Sequence, residues 1–214
     1  MNKEVKRIWI VVIQSLNDSV KLKTGCGIFK DLNNWCNKPE IGIIPKYYEV
    51  TTKKGLEDKV NEVVALIQEN DSFLFHIESH GNYDGIRLVN DGVEWRDFWK
   101  ISLPLSEKVN NRVVYILSMC RSKYSSLVFC DNQTIPFQYL IASNDIVDSG
   151  PACLALKLFY KEYISSKNIM KAFEILQYDY ISRNKDCPFL LLSPQDVISM
   201  HESILHDYEN VSKE

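Results

Sequence analysis

His80 and Cys120 are the residues of this chain best suited to do chemistry. His80 stands in Ser79-His80-Gly81, directly after an apolar stretch, and Cys120 stands in Ser118-Met119-Cys120-Arg121, directly after another. A thiol attacks only as its thiolate, and it is mostly protonated at neutral pH. An imidazole within reach can take that proton and later return it to a leaving amine. The attacked carbonyl develops an oxyanion, for which backbone N–H groups are the usual donors. Gly81 has no side chain, so backbone there can approach a substrate closely. Its N–H and that of Cys120 are the expected oxyanion pair.

Two strands must bring these residues together. Ser72–Glu78 (SFLFHIE) and Arg112–Ser118 (RVVYILS) both read as buried strands, being short apolar runs rich in β-branched and aromatic residues. In an open parallel α/β sheet the carboxyl ends of the strands share one edge, and ligands bind there. If these strands are neighbours, two side chains 40 positions apart face one crevice.

The rest of the chain alternates in the same way, which predicts an α/β layered domain with a mainly parallel sheet. Further strands are expected at Arg7–Gln14 (RIWIVVIQ), Tyr47–Thr51, Gln138–Ser143 and Pro188–Leu192. Gly55–Asn70 is an amphipathic helix, with Leu56, Val60, Val63 and Ile67 at helical spacing. Gly85–Asp97 reads as a hairpin turning at Asp91-Gly92. Helices are expected over Pro151–Ser165, after the N-cap Asn168, and after Ser193. Arg121–Phe137 (RSKYSSLVFCDNQTIPF) reads as a mobile connection that orders around a substrate. Residues 1–209 form one expected domain and residues 210–214 a frayed tail.

Composition removes several classes. The net charge of −3 and pI near 5.9 argue against a nucleic-acid binder. No run of 18 apolar residues exists, so no membrane span is expected. The apolar run Ile8–Ile13 lacks a cleavage site and reads as a strand, not a signal peptide. The six cysteines show no C-x-x-C pair, which suits reduced thiols in a cytoplasm better than disulfides. His76 and His80 make an H-x-x-x-H pair, but the surrounding residues are strand-like, so His76 reads as a core histidine and no metal is expected. A Gly-rich phosphate loop, as a flavodoxin-like binder would need, is absent from the sequence.

The two motifs, in this order and at strand ends, resemble the caspase-like clan of cysteine peptidases, which includes caspases, metacaspases and the bacterial CHAT and caspase-homologue proteins. Cys120-Arg121 matches the centre of the caspase signature Q-A-C-[RQG]-G, with Ser118 and Ser122 in place of the flanking Gln and Gly. Tyr48–Gly81 is similar to the strand–helix–strand that delivers the histidine of that clan, and Leu140–Tyr160 resembles the CHAT-type strand–loop–helix ending in Phe-Tyr. The resemblance covers most of the chain. It implies a three-layer fold with a six-stranded, mostly parallel sheet of order 2-1-3-4-5-6 and helices on both faces. It also implies a cysteine endopeptidase with His80 as base and Cys120 as nucleophile, a protein substrate and no cofactor. By analogy with small bacterial members, it implies an effector of defence or cell death. Control is expected from a partner protein or ligand that orders the Arg121–Phe137 connection. The alternative is a catalytically inactive module of the same fold used for protein interaction.

Substrate recognition has several candidates. Lys21–Cys26 vaguely resembles the stretch in which caspases hold an acidic side chain, with Lys23 or Gly25 at the Arg position depending on register. Asp145 and Asp148, after the fifth expected strand, could instead attract a basic side chain. Capping of the following helix is the competing role for Asp148.

Overall fold

The strand β1 (Ile8–Ser15) is the centre from which the sheet grows: Trp9 through Ser15 are all buried. Only a strand covered on both faces can bury consecutive residues, because successive side chains point to opposite sides. In the computed structural model, which describes residues 7–17, 23–36, 42–129 and 135–211, β1 is flanked in parallel by β2 (Ile43–Glu49) and β3 (Ser72–Gly81). On the far side of β3 come β6 (Val113–Ser118) and β7 (Tyr139–Ser143), both parallel, and then β8 (Phe189–Leu192), antiparallel. The order is β2-β1-β3-β6-β7-β8. Renumbered over these six main strands it is the expected 2-1-3-4-5-6. A small antiparallel pair, β4 (Gly85–Arg87) and β5 (Gly92–Glu94), extends the end of β3.

Helices cover both faces. On one lie α2 (Lys53–Leu66), α3 (Trp95–Lys108) and α6 (Pro194–Val211), packed on Trp9, Val11, Phe73, Phe75, Tyr115 and Leu117. On the other lie α1 (Thr24–Cys36), α4 (Ser149–Ser166) and α5 (Ile169–Ser182), packed on Ile10, Val12, Leu74, Ile116 and Ile141. The domain is therefore α/β with helices on either side of a mixed, largely parallel sheet. Among the described residues no helix is long and apolar enough to cross a membrane.

Several expectations need correction. Two helices, α1 and α3, were not expected. The turn at Asp91-Gly92 joins β4 to β5, but Trp95 already starts α3, so the hairpin does not run to Asp97. α2 begins at Lys53, capped by Thr52, whose Oγ1 accepts from Gly55 N–H at 3.0 Å, and it ends at Leu66. β2 begins four residues and ends two residues earlier than expected. The helix α6 continues to Val211, so Asn210 is helical; residues 212–214 lie outside the described residues.

The connection after Cys120 is also different from the mobile loop expected. Ser122–Val128 is a 3₁₀ helix, and Ser122 through Ser126 are buried. Its serines satisfy backbone carbonyls from within: Ser122 Oγ donates to Leu117 O at 2.9 Å and Ser126 Oγ to Lys123 O at 2.7 Å. Lys123 Nζ reaches Asp207 on α6 at 2.9 Å, which pins this helix to the last one. Residues 130–134 of the same connection lie outside the described residues.

Candidate active site

The sheet register brings the strands that lead to His80 and Cys120 side by side, about 4.8 Å apart. Every β3–β6 pair from Phe73↔Val113 to Glu78↔Ser118 keeps one constant offset. The ladder itself stops at Glu78↔Ser118, where β3 goes on to pair with β4 and the chain after β6 turns, Met119 N–H donating to Leu117 O at 3.0 Å. Parity also agrees. Leu74, His76 and Glu78 of β3, and Val114, Ile116 and Ser118 of β6, fall on the even positions that face α1, α4 and α5. His80, still within β3, continues its series, and Cys120 lies in the turn just beyond β6.

Close approach at this edge is measured by Gly81. A Cβ there would lie 2.7 Å from Met119 Cγ and 3.0 Å from Cys120 O. A side chain there must push aside the Met119 side chain or press on the Cys120 carbonyl, so glycine fits this space with the least disturbance. His80 is exposed and Cys120 half-buried, an accessibility suited to a base and a nucleophile that must meet a substrate. Among the described residues the Cys120 N–H has no hydrogen-bond partner in the fold. It is thus open to a ligand oxygen. Arg121 follows in the left-handed region, φ 58° and ψ 25°. A non-glycine residue pays about 1 kcal/mol or more for that conformation, and such residues cluster at functional sites. Arg121 is held there by its N–H to Asp145 O at 2.9 Å and by an ion pair to Asp145 at 3.8 Å.

The loop after β7 leans over the thiol. Val147 N–H donates to Cys120 Sγ at 3.4 Å, a contact that no sequence signal announced. Asp148, next in the chain, caps α4, its Oδ1 accepting from Gly150 N–H at 3.2 Å. Lys23 lies beside Glu49 at 3.7 Å, and Gly25 sits in the first turn of α1. Neither reaches the thiol by any contact found here.

Beneath the pair lies a polar network that sequence reading passed over. His76 is wholly buried, as expected of a core histidine, with both ring nitrogens bonded. A carboxylate only accepts, so Nε2–H donates to Glu78 Oε1 at 2.9 Å and the Tyr160 hydroxyl serves Nδ1 at 2.9 Å. Thr24 Oγ1 donates to Glu78 Oε2 at 2.6 Å, and Cys26 N–H donates to Gln14 Oε1 at 3.1 Å. Gly25 has its own reason here, since a Cβ would press on Gln14 Oε1 at 3.1 Å and Glu78 Cγ at 3.3 Å. The signal that could have found this network is the end of each apolar run: β1 and β3 turn polar at the same level, Gln14 against Glu78.

Burial pushes the Cys153 thiol up, with Lys157 opposing and Glu78 adding to the rise. Burial likewise raises Cys187 and Cys36. Cys130 lies outside the described residues. Among the described residues no group of three His, Cys, Asp or Glu side chains is placed to hold a metal ion. No protein-family model matches the chain, and no curated protein matches it either.

Proposed function

We propose that this chain is a caspase-like cysteine endopeptidase with Cys120 as nucleophile and His80 as general base. The observation that carries the reading is the parallel β3–β6 pairing, which brings side by side the carboxyl ends of the two strands that lead to His80 and Cys120. The strand order β2-β1-β3-β6-β7-β8 supports it, being the order that the resemblance implies. In this reading His80 takes the thiol proton, and Val147 N–H steadies the developing thiolate. The thiolate adds to a substrate carbonyl, and the Cys120 and Gly81 N–H groups receive the oxyanion. His80 returns its proton to the leaving amine, giving an acyl-enzyme that water hydrolyses with His80 again as base. The steps need no cofactor. A partner protein that shifts the Asn144–Asp148 loop, and with it the Val147 contact, is the route to control that fits the reading. A role as effector in a bacterial defence or cell-death system rests on family analogy alone.

The test is cleavage of a peptide library by the purified chain. Cys120→Ala and His80→Ala should each lower kcat/KM by about 1,000-fold or more, and the double variant should be no worse than either single one. A His80→Ala variant that kept most activity would remove His80 from the mechanism. If the unaltered chain cleaves nothing, and iodoacetamide at limiting dose labels Cys120 no faster than Cys153, the inactive interaction module becomes the better reading.

A further inference from the structure

Across β1, β3 and β6, the face covered by α1, α4 and α5 is built in rows: Ile10–Leu74–Val114, then Val12–His76–Ile116, then Gln14–Glu78–Ser118. His80, at the end of β3, and Cys120, in the turn after β6, lie just beyond the last of these rows. The row beneath the proposed catalytic pair is thus wholly polar, although each of its members is at most 5% exposed. Burying polar groups costs free energy unless they are bonded. Gln14 and Glu78 have bonds to spend on α1, but the Ser118 hydroxyl has no partner among the described residues.

Charge in this row is unbalanced as well. Asp145 is answered by Arg121 and Asp148 by the α4 amides. Among the described residues no Lys or Arg lies within ion-pair distance of Glu78, whose neighbours are His76 and Thr24. Two residues along a strand span about 6.6 Å. That is within the reach of an arginine or lysine side chain whose own carbonyl carbon sits over Cys120 Sγ.

We propose that Glu78 and Ser118 form the floor of the pocket for the residue before the scissile bond, and that they select a basic side chain there. The inference rests on the peptidase reading and names the substrate class of that same site. The guanidinium or ammonium adds its donors to the lone pairs of Glu78 left open by His76 and Thr24, and to the Ser118 oxygen. An acidic side chain would meet Glu78 with like charge, and a neutral one would leave both groups unfilled.

The experiment compares matched peptides carrying arginine or its neutral isostere citrulline before the scissile bond. The unaltered chain should favour arginine by about 10- to 100-fold in kcat/KM, as expected for one charge-assisted contact. Glu78→Gln should bring the two within about threefold, and Ser118→Ala, which removes only a hydroxyl, should lower the ratio in the same direction. Equal cleavage of both peptides by the unaltered chain, or a ratio untouched by Glu78→Gln, overturns the proposal. A second readout does not need peptidase activity: modification of Cys120 by cationic 2-aminoethyl and anionic 2-sulfonatoethyl methanethiosulfonate, followed on the Cys120 peptide by mass. The cationic reagent should react faster, and Glu78→Gln should shrink the difference. If no peptide is cleaved but this charge preference holds, the peptidase reading fails and the cation pocket stands. If the reagents react equally, the pocket fails whatever the activity.

Discussion

The two ends of the parallel sheet treat buried polar groups in opposite ways. At the amino edge, Asp71 is 2% exposed and fully engaged. It accepts from Arg7 Nε and Nη2, from the Trp9 indole at 2.8 Å and from Gln68 N–H at 2.8 Å. At the carboxyl edge, His80 is exposed, the Ser118 hydroxyl and the Cys120 N–H have no partner among the described residues, and Arg121 is strained. A closed polar cluster fixes strands in place, whereas one left partly open gives up stability for the ability to bind. The amino edge therefore should respond to mutation in stability and the carboxyl edge in chemistry.

The largest effect expected of this contrast is at Asp71. Asp71→Ala leaves the indole N–H, the Gln68 N–H and a half-buried guanidinium without an acceptor, and should cost about 3 kcal/mol in a urea titration. The labelling rate of Cys120 in the folded protein should not change. Burial works to raise the Asp71 carboxyl, but Arg7, the Gln68 amide and Trp9 hold it below the usual carboxylate range. A depressed carboxyl contributes stability that is present above its unfolded value, about 3.9, and lost as pH falls through the folded one. The stability gap between the unaltered chain and Asp71→Asn should accordingly be widest at neutral pH and narrow on acidification below that range. A gap that stays constant with pH would show that packing, not charge, holds this edge.

At the carboxyl edge the corresponding probe is Gly81→Ala. The added methyl must move Met119 or Cys120 O, because the space is closed at 2.7 and 3.0 Å. A displacement of that kind beside a reacting atom should lower kcat/KM by about 10- to 100-fold. The effect on stability should be smaller than that of Asp71→Ala, since the Met119 side chain can shift. Should Gly81→Ala unfold the protein yet keep full activity per folded molecule, the contrast between the edges would be reversed.

Much of this was legible in the sequence, for physical reasons that can be named. The six main strands are apolar runs that only a doubly covered sheet can bury; Cys120 follows one of them closely, whereas His80, expected just after a strand, lies within β3, which runs on to Gly81. The helix α1 was hidden because Gly25, Gly27, Asn33 and Asn34 are poor helix formers. Gly25 is there for the sake of Gln14 and Glu78, so local propensity gave way to the site. The helix α3 was hidden by Pro104 in its interior, tolerated while Phe98, Trp99 and Leu105 are buried against Tyr115 and its neighbours. The Ser-rich stretch after Cys120 looks like a loop by composition, and it is ordered because its hydroxyls close on backbone groups that no pattern reveals. The polar row Gln14–Glu78–Ser118 needed the strand register, which links residues far apart in the chain.

The smallest expected effect separates Glu78 from the other acidic candidate. Asp148 commits Oδ1 to Gly150 N–H at the start of α4, and its C=O accepts from Ala152 N–H at 3.0 Å. Losing such a cap costs about 1 kcal/mol. Asp148→Ala should therefore shift the urea midpoint slightly. It should leave the arginine-to-citrulline ratio where it was, because the carboxylate faces its own helix rather than the row under Cys120. A small secondary change in rate is compatible with this, since Val147 is the adjacent residue and carries the N–H that meets the thiol. The two roles then part cleanly in one table of ratios. If Asp148→Ala collapses the preference for arginine and Glu78→Gln does not, basic recognition belongs to the loop over the thiol and not to the floor beneath it.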